Sequence, residues 1–93
     1  MKLEFDREKQ ERTLRERGLD FARAKEVFEG IHITGQDARL EYHEDRFITV
    51  GYLDGRLLVL VWTPRGGARR IISMRKANDR EKTLYTKALE RSR

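Results

Sequence analysis

The feature that most constrains the fold of this chain is a run of six apolar residues, 57–62, with turn signals on both sides. An Asp-Gly pair at 54–55 precedes the run, and a Gly-Gly pair at 66–67 follows it. An apolar run of this length is typical of a fully buried strand, and Asp-Gly is a preferred dipeptide of two-residue hairpin turns. We therefore expect a central strand with a hairpin partner on each side, at residues 47–53 and 69–75.

Two helix signals follow one another in the first third of the chain. Asp6 is an acceptable N-cap for a helix over residues 7–17, which Gly18 ends. This helix is almost entirely polar, so we expect it to lie on the surface. Asp20 caps a second helix that ends at Gly30, with apolar residues at helical spacing on its buried side.

The rest of the pattern predicts two further strands and a last helix. Leu3 and Phe5 alternate with charged residues, as in a short strand, and residues 38–42 alternate in the same way before a turn. Asn78 and Glu81 form a capping pair that opens a C-terminal helix. The predicted order is β-α-α-β-β-β-β-α, an α+β fold in which an antiparallel β-meander has two N-terminal helices and one C-terminal helix. We expect the helices to cover one face of the meander.

Length and composition restrict the class of protein. The chain has 93 residues, which suits one domain spanning 1–93, and its charged fraction of 40% exceeds its hydrophobic fraction of 38%. Cysteine is absent, which excludes disulfides, thiolate catalysis and cysteine-based zinc sites and fits a reducing cytoplasm. No apolar run approaches the roughly 20 residues that span a bilayer, so we expect no membrane partner.

Positive charge is concentrated around the apolar strand. Between Gly55 and Asn78 the sequence has no Asp or Glu but six arginine or lysine residues. A cationic sheet attracts polyanions, so nucleic acid is the first partner to consider. The alternatives are a non-catalytic basic module that binds RNA or DNA without cutting it and a protein-interaction domain that docks an acidic partner.

Four short segments form a pattern over almost the whole chain. They are residues 3–6 with Lys9, residues 18–21 with Ala24, residues 44–47, and residues 70–77 with Arg80, Glu81 and Tyr85. The pattern resembles the BrnT family, ribonuclease toxins of bacterial and archaeal toxin–antitoxin pairs. Its most specific part is Arg-Ile-Ile-Ser-x-Arg-Lys-Ala at 70–77. The chain departs from the family pattern at Arg17, where many members carry His, and at Thr13, where Asn is usual.

The resemblance implies a RelE-like toxin fold and an endoribonuclease that cleaves RNA without a metal and inhibits translation. It also implies a cognate BrnA-like antitoxin with a DNA-binding domain, which neutralises the toxin in a toxin–antitoxin hetero-oligomer. Where relatives carry His, Arg17 cannot act as a base, although it can still bind phosphate.

Metal-free cleavage of RNA needs a base for the 2′-OH, an acid for the departing 5′-oxygen and cations for the pentavalent phosphorane. With the resemblance, Arg70 and Arg75 are the leading candidates for the cationic role, because a guanidinium can hold two phosphate oxygens at once. Lys76 is expected to join them. The competing interpretation is that both arginines are solvated sheet positions or ion-pair partners of Glu81 and Glu44.

Strand geometry leaves the relation between these two arginines open. Alternation along a strand places positions 70 and 75 on opposite faces, so they share a face only if a bulge or a strand end intervenes.

The remaining candidates have less specific signals. The acid and the base are expected among Glu44, His43, Lys9 and Tyr85. Glu44 is equally consistent with a surface ion pair and Tyr85 with the edge of the core. Cations expected to contact RNA are Lys9, Arg46, Arg65 and Arg69. No cofactor is expected, and the histidines His32 and His43 lack companions at metal-ligand spacing, so no metal site is expected.

Overall fold

A five-stranded sheet forms the centre of the molecule in the computed structural model, which describes residues 2–38 and 43–91. The strands are β1 Lys2–Phe5, β2 His32–Gln36, β3 Phe47–Leu53, β4 Arg56–Arg65 and β5 Ala68–Lys76. Their spatial order is β1-β5-β4-β3-β2. Strands β2 to β5 pair antiparallel with their chain neighbours, whereas β1 pairs parallel with β5, so the sheet is mixed.

The helices lie where the sequence predicts them, except that Asp20 caps a 3-10 turn and the α-helix that follows this turn begins without a side-chain cap. They are α1 Arg7–Arg17, a 3-10 turn Phe21–Arg23, α2 Ala24–Glu29 and α3 Asp79–Arg91. The Asp6 carboxylate accepts from the Glu8 backbone N–H at 2.8 Å, and Gly18 closes α1 in the left-handed region with φ 69°. As predicted, α1 buries no residue. No helix within 2–38 and 43–91 is long and apolar enough to cross a membrane.

The α+β class is confirmed, with two corrections to the sheet. The sheet is not purely antiparallel, because β1 joins β5 in parallel register. The strand before β3 is His32–Gln36, which is only half covered and therefore shows little alternation. Of the strand predicted at 38–42, Ala38 is outside any strand and residues 39–42 lie outside the described part of the chain.

The predicted hairpin between β3 and β4 is confirmed by its backbone. Asp54 and Gly55 both have positive φ, 52° and 76°, the combination that a two-residue turn between twisted strands requires.

Two hydrophobic cores lie on the two faces of the sheet. On one face, Phe21 and Val27 of the N-terminal helical segments pack in a cluster with Leu58 and Leu60 of β4. We call this the α2 face. On the other face, Leu89 of α3 packs in a cluster with alternate β4 residues. We call this the α3 face.

The expectation that all helices cover one face is therefore wrong. Strand β4 is apolar at successive positions, so both of its sides must be removed from water. The N-terminal helices cover one side and α3 covers the other.

Candidate functional site

A β-bulge in β5 determines which arginines share a face. Val61 of β4 pairs with Ser73, but its neighbour Trp62 pairs with Ile71, so Ile72 is the extra residue. A bulge of this kind shifts the alternation of all positions beyond it by one. The conflict that strand alternation leaves open is resolved at Ile72.

Arg70 and Arg75 consequently lie on the same side of the sheet. Arg75 is directly opposite Val59, a member of the core beneath α3, and Arg70 is directly opposite Thr63. Residues directly opposite each other in an antiparallel pair point to the same face, and Val59 and Thr63 are separated by an even number of positions. Both guanidinium groups therefore belong to the α3 face.

Arg70 is bound to a carboxylate on the neighbouring strand. Its Nη1 lies 2.6 Å from Oε1 of Glu4, the residue beside it in the parallel β1–β5 register. Leu3 and Phe5 pack on the α2-face core, so the intervening Glu4 projects to the opposite side. The resulting ion pair is part-buried and lies at the end of the sheet away from α3's first turn.

Arg75 is held more firmly, by two parallel hydrogen bonds. Its Nη1 and Nη2 donate to the two carboxylate oxygens of Glu81 at 2.7 and 2.8 Å. Glu81 is itself fixed by reciprocal bonds with Asn78, in the capping arrangement that the sequence predicted. The Arg75 guanidinium lowers the pKa of the Glu81 carboxyl to about 2. The fork of Arg75 therefore has a set orientation at the border between α3 and the sheet.

A third arginine links two carboxylates at the far end of the same face. Arg65 Nη2 lies 3.3 Å from Glu44, and its Nη1 lies 3.8 Å from Glu4. The hydroxyl of Thr63 donates to the Asp45 carbonyl at 2.6 Å and so holds the segment that carries Glu44 against β4. Arg65, Arg70 and Arg75, with their partners Glu4, Glu44 and Glu81, form what we call the arginine face.

Tyr85 lies across the same face from Arg75. It is half-buried on α3 and packs in the cluster that contains Ile33 and Ile48. Ile48 is opposite Val61, which is in turn opposite Ser73. With strands about 5 Å apart, Tyr85 sits over a position roughly 10 Å from Ser73. Tyr85 therefore lies on the same face as Arg75 but two strands away from β5.

Two of the expected site residues lie elsewhere. Lys76 is directly opposite Leu58 of the α2-face core. Strand alternation therefore places Lys76 on the opposite side of β5 from Arg75 and away from the arginine face. Arg69 lies on the α2 face, where its guanidinium carbon is 4.0 Å from the Phe28 ring centroid and 5.3 Å from that of Trp62. Its Nε is buried without a hydrogen-bond partner among the described residues. Arg69 thus packs on aromatic rings.

The remaining candidates, Lys9, His43 and Arg46, are not part of the arginine face. Lys9 is exposed in the first turn of α1, and His43 is exposed immediately before Glu44. Arg46 precedes β3, and its carbonyl accepts from the Asp37 backbone N–H at 2.7 Å. Among residues 2–38 and 43–91, no three His, Asp or Glu side chains are grouped to hold a metal ion.

Arg17, one of the two positions where the sequence is expected to depart from the resembled family, ties α1 to β5. Its Nη1 donates to the Met74 carbonyl at 3.0 Å. Strand β1 accompanies β5 only through residues 68–71, so Met74 lies beyond the end of that pairing. The guanidinium donates to a backbone carbonyl beside Arg75. A histidine at position 17 would have a shorter side chain and fewer N–H donors for this contact.

Glu4 is the site residue that sequence reasoning missed. The ion-pair interpretation expected Glu44 and Glu81 as partners. The structure pairs Arg75 with Glu81, but it pairs Arg70 with Glu4. Alternation with Leu3 and Phe5 was the available signal, since it turns Glu4 away from the core. No local feature of the sequence indicates that β1 pairs with β5, so the contact between Glu4 and Arg70 could not be predicted.

The sequence matches a protein-family model. A family model described as the ribonuclease toxin, BrnT, of type II toxin–antitoxin systems matches residues 5–81, which run from the last residue of β1 through β5 to the first turn of α3. No curated protein matches the chain.

Proposed function

Because this chain belongs to the BrnT family of ribonuclease toxins of type II toxin–antitoxin systems, we propose that its arginine face is the site of RNA cleavage. The observation that carries this proposal is the Ile72 bulge, which places Arg70 and Arg75 on one face. Both belong to the segment that carries the resemblance. Two guanidinium groups on one face of the sheet can contact the backbone phosphates of one bound RNA strand.

The proposed reaction uses the RNA's own 2′-OH as nucleophile. A base removes the 2′-OH proton, the 2′-oxygen attacks the adjacent phosphorus, and the 5′-oxygen leaves with a proton from an acid. The products are a 2′,3′-cyclic phosphate and a 5′-OH. Arg70 and Arg75 bind the non-bridging oxygens, whose negative charge increases in the phosphorane. No step of this route requires a metal, and we propose that the reaction is metal-independent.

We assign the base to a carboxylate of the arginine face. Glu4 is the first choice, because it touches Arg70 at 2.6 Å and so lies beside any phosphate that Arg70 binds. Glu44 is the second choice, since it reaches the same region only through Arg65.

The family also supports a proposed setting for this activity. We propose that the fold is of the RelE type and that cleavage acts on cytoplasmic RNA, which stops translation. We propose a BrnA-like antitoxin with a DNA-binding domain as the partner, bound in a toxin–antitoxin hetero-oligomer. An acidic segment of that partner would compete with RNA for the cationic surface.

The direct test is incubation of the purified protein with single-stranded RNA and with DNA of the same sequence, both in EDTA. We expect RNA to be cut to cyclic phosphate and 5′-OH ends and DNA to stay intact. Dependence on added divalent metal, or cleavage of DNA, would exclude the 2′-OH mechanism. Binding of RNA without any product would instead favour the non-catalytic basic module.

A second test is in cells. We expect expression of the wild-type chain to arrest growth and co-expression of its antitoxin to restore it. Arg70→Ala combined with Arg75→Ala should make the antitoxin unnecessary. A folded double variant that still arrests growth would place the toxic site elsewhere.

A further inference from the structure

A second cationic surface lies between α3 and the β3–β4 hairpin, apart from the arginine face. It is a groove of about 410 Å³ lined by residues of four elements and the hairpin turn. Tyr52 comes from β3, Arg56 and Leu57 from β4, Lys76 from the end of β5, and Lys82 and Thr86 from α3. We call it the Tyr52 groove.

The charge of this groove is one-sided. Three cationic side chains, Arg56, Lys76 and Lys82, line it, and no carboxylate does among the described residues. The nearest ion pair of Lys82 is a 4.0 Å contact with Asp79, which is fully exposed and screened by water. Arg56 has the Asp54 carboxylate of the adjacent turn as an electrostatic neighbour outside the groove. Cations without a carboxylate inside the groove itself attract phosphate and release counterions when they bind it.

The groove also has an exposed aromatic ring. Tyr52 retains 40% of its accessible surface, although its direct cross-strand neighbour Leu57 is buried. The ring lines the groove beside the three cations and also lines a neighbouring small pocket with Ile31, Leu89 and Glu90. An exposed aromatic side chain among lysines and arginines is the arrangement by which proteins stack an unpaired nucleobase while holding its backbone.

We propose that the Tyr52 groove binds single-stranded RNA outside the cleavage site, with one base stacked on Tyr52 and the flanking phosphates on Arg56, Lys76 and Lys82. This rests on the proposed ribonuclease function. It also gives Lys76 a role that its position permits. Alternation turns Lys76 away from the arginine face, but Lys76 is the last residue of β5 and its side chain lines the groove, so a strand of RNA that leaves Arg75 can continue past the end of β5 into the groove.

The groove predicts that substrate length matters. A dinucleoside monophosphate can occupy only the arginine face, whereas a longer single strand can occupy both regions. Groove contacts should then add to the affinity for long RNA and leave cleavage of the dinucleotide unchanged.

The test measures two properties of Tyr52→Ala and of Arg56→Ala combined with Lys82→Ala. The first is binding of a long single-stranded RNA made uncleavable by 2′-O-methylation. The second is the rate of dinucleotide cleavage. We expect Tyr52→Ala to weaken binding of the long RNA roughly tenfold, since stacking contributes on the order of 1–3 kcal/mol per base. Dinucleotide cleavage should stay at the wild-type rate.

Two matched controls separate stacking and groove charge from general effects. Tyr52→Phe keeps the ring and should bind RNA like the wild type. Dinucleotide cleavage by Tyr52→Ala at the wild-type rate shows that this variant is folded. Lys87→Ala removes an exposed α3 cation that does not line the groove and should have little effect.

The outcomes are distinguishable from failure of the ribonuclease proposal. If nothing is cleaved but Tyr52→Ala still loses RNA binding, the groove stands and the enzyme proposal falls. Unchanged affinity for long RNA in both groove variants would overturn the groove proposal. The same unchanged affinity, together with lost binding of the antitoxin, would identify the groove as a protein-docking surface instead.

Discussion

The arginine face and the Tyr52 groove are both cationic, but they hold their charges in opposite ways. On the arginine face, Arg65, Arg70 and Arg75 each contact a carboxylate at 3.3 Å or less. In the groove, no carboxylate lines the site within the described residues. Close ion pairs fix the direction of a guanidinium and reduce its net field, whereas cations with only distant, solvent-exposed carboxylates keep more of their field and remain mobile.

This difference matches a division between chemistry and affinity. A catalytic cation has to meet charge that develops at one point, so orientation is more valuable than long-range attraction. A binding surface for a flexible polyanion gains from an uncompensated field and tolerates movement. The arrangement of carboxylates, more than the number of arginines, indicates which surface does which.

The largest effect is expected from Arg75→Lys. Lysine keeps the charge but cannot form the two parallel bonds with Glu81, so phosphate is no longer held in a set geometry. We expect cleavage to fall by about 100-fold or more while RNA affinity changes only a few-fold. Single-turnover kinetics and RNA binding, with circular dichroism as a check of folding, measure the two effects. Near-wild-type cleavage would show that the fixed orientation of Arg75 is not needed for catalysis, and the proposed difference between the two surfaces would then be wrong.

The second prediction distinguishes the two candidate bases. Glu4→Gln should lower cleavage by about 100-fold and leave RNA binding intact or slightly improved, because a proton-transfer group contributes on the order of 100-fold or more and a negative charge beside phosphate is removed. Glu44→Gln is the matched control and should lower cleavage far less. The reverse result would assign the base to Glu44 and leave Glu4 as an ion-pair partner of Arg70.

The local turns and caps of the fold can be predicted from the sequence, whereas the pairing of distant strands cannot. The 57–62 run, the Asp-Gly turn and the Asn78–Glu81 cap are local, and the structure confirms each of them. The Ile72 bulge and the parallel pairing of β1 with β5 are not local, because they depend on register between distant segments. Arg70 and Arg75 could therefore be named from sequence, whereas their shared face and the Glu4 contact could not.

The third prediction compares salt dependence across the two regions. Replacing Arg56 and Lys82 by alanine should lower the slope of log affinity against log salt concentration by about 1.4, since each cation in direct contact with a phosphate of a single strand contributes about 0.7. Arg65→Ala should lower the slope by clearly less than about 0.7. Its guanidinium already faces Glu44 and Glu4, so part of what RNA displaces there is a carboxylate and not a salt ion. Equal slopes per cation in both regions would contradict the proposed difference in charge compensation.

The smallest effect concerns the ion pair that orients Arg75. Glu81→Gln retains the capping bond to the Asn78 backbone, because glutamine serves in the same cap, but it removes the charge facing Arg75. The pKa of Glu81 is lowered from 4.5 to about 2, chiefly by Arg75, so the folded state binds this proton more weakly than the unfolded chain does. The pair therefore stabilises the fold above pH 4.5, and its contribution is lost progressively as the pH falls towards 2. We expect the wild type to exceed Glu81→Gln by on the order of 1 kcal/mol in free energy of unfolding near pH 7. Urea unfolding at a series of pH values should show the two curves converging in acid. A gap that is constant with pH would mean that the carboxylate acts only as a helix cap and does not fix Arg75.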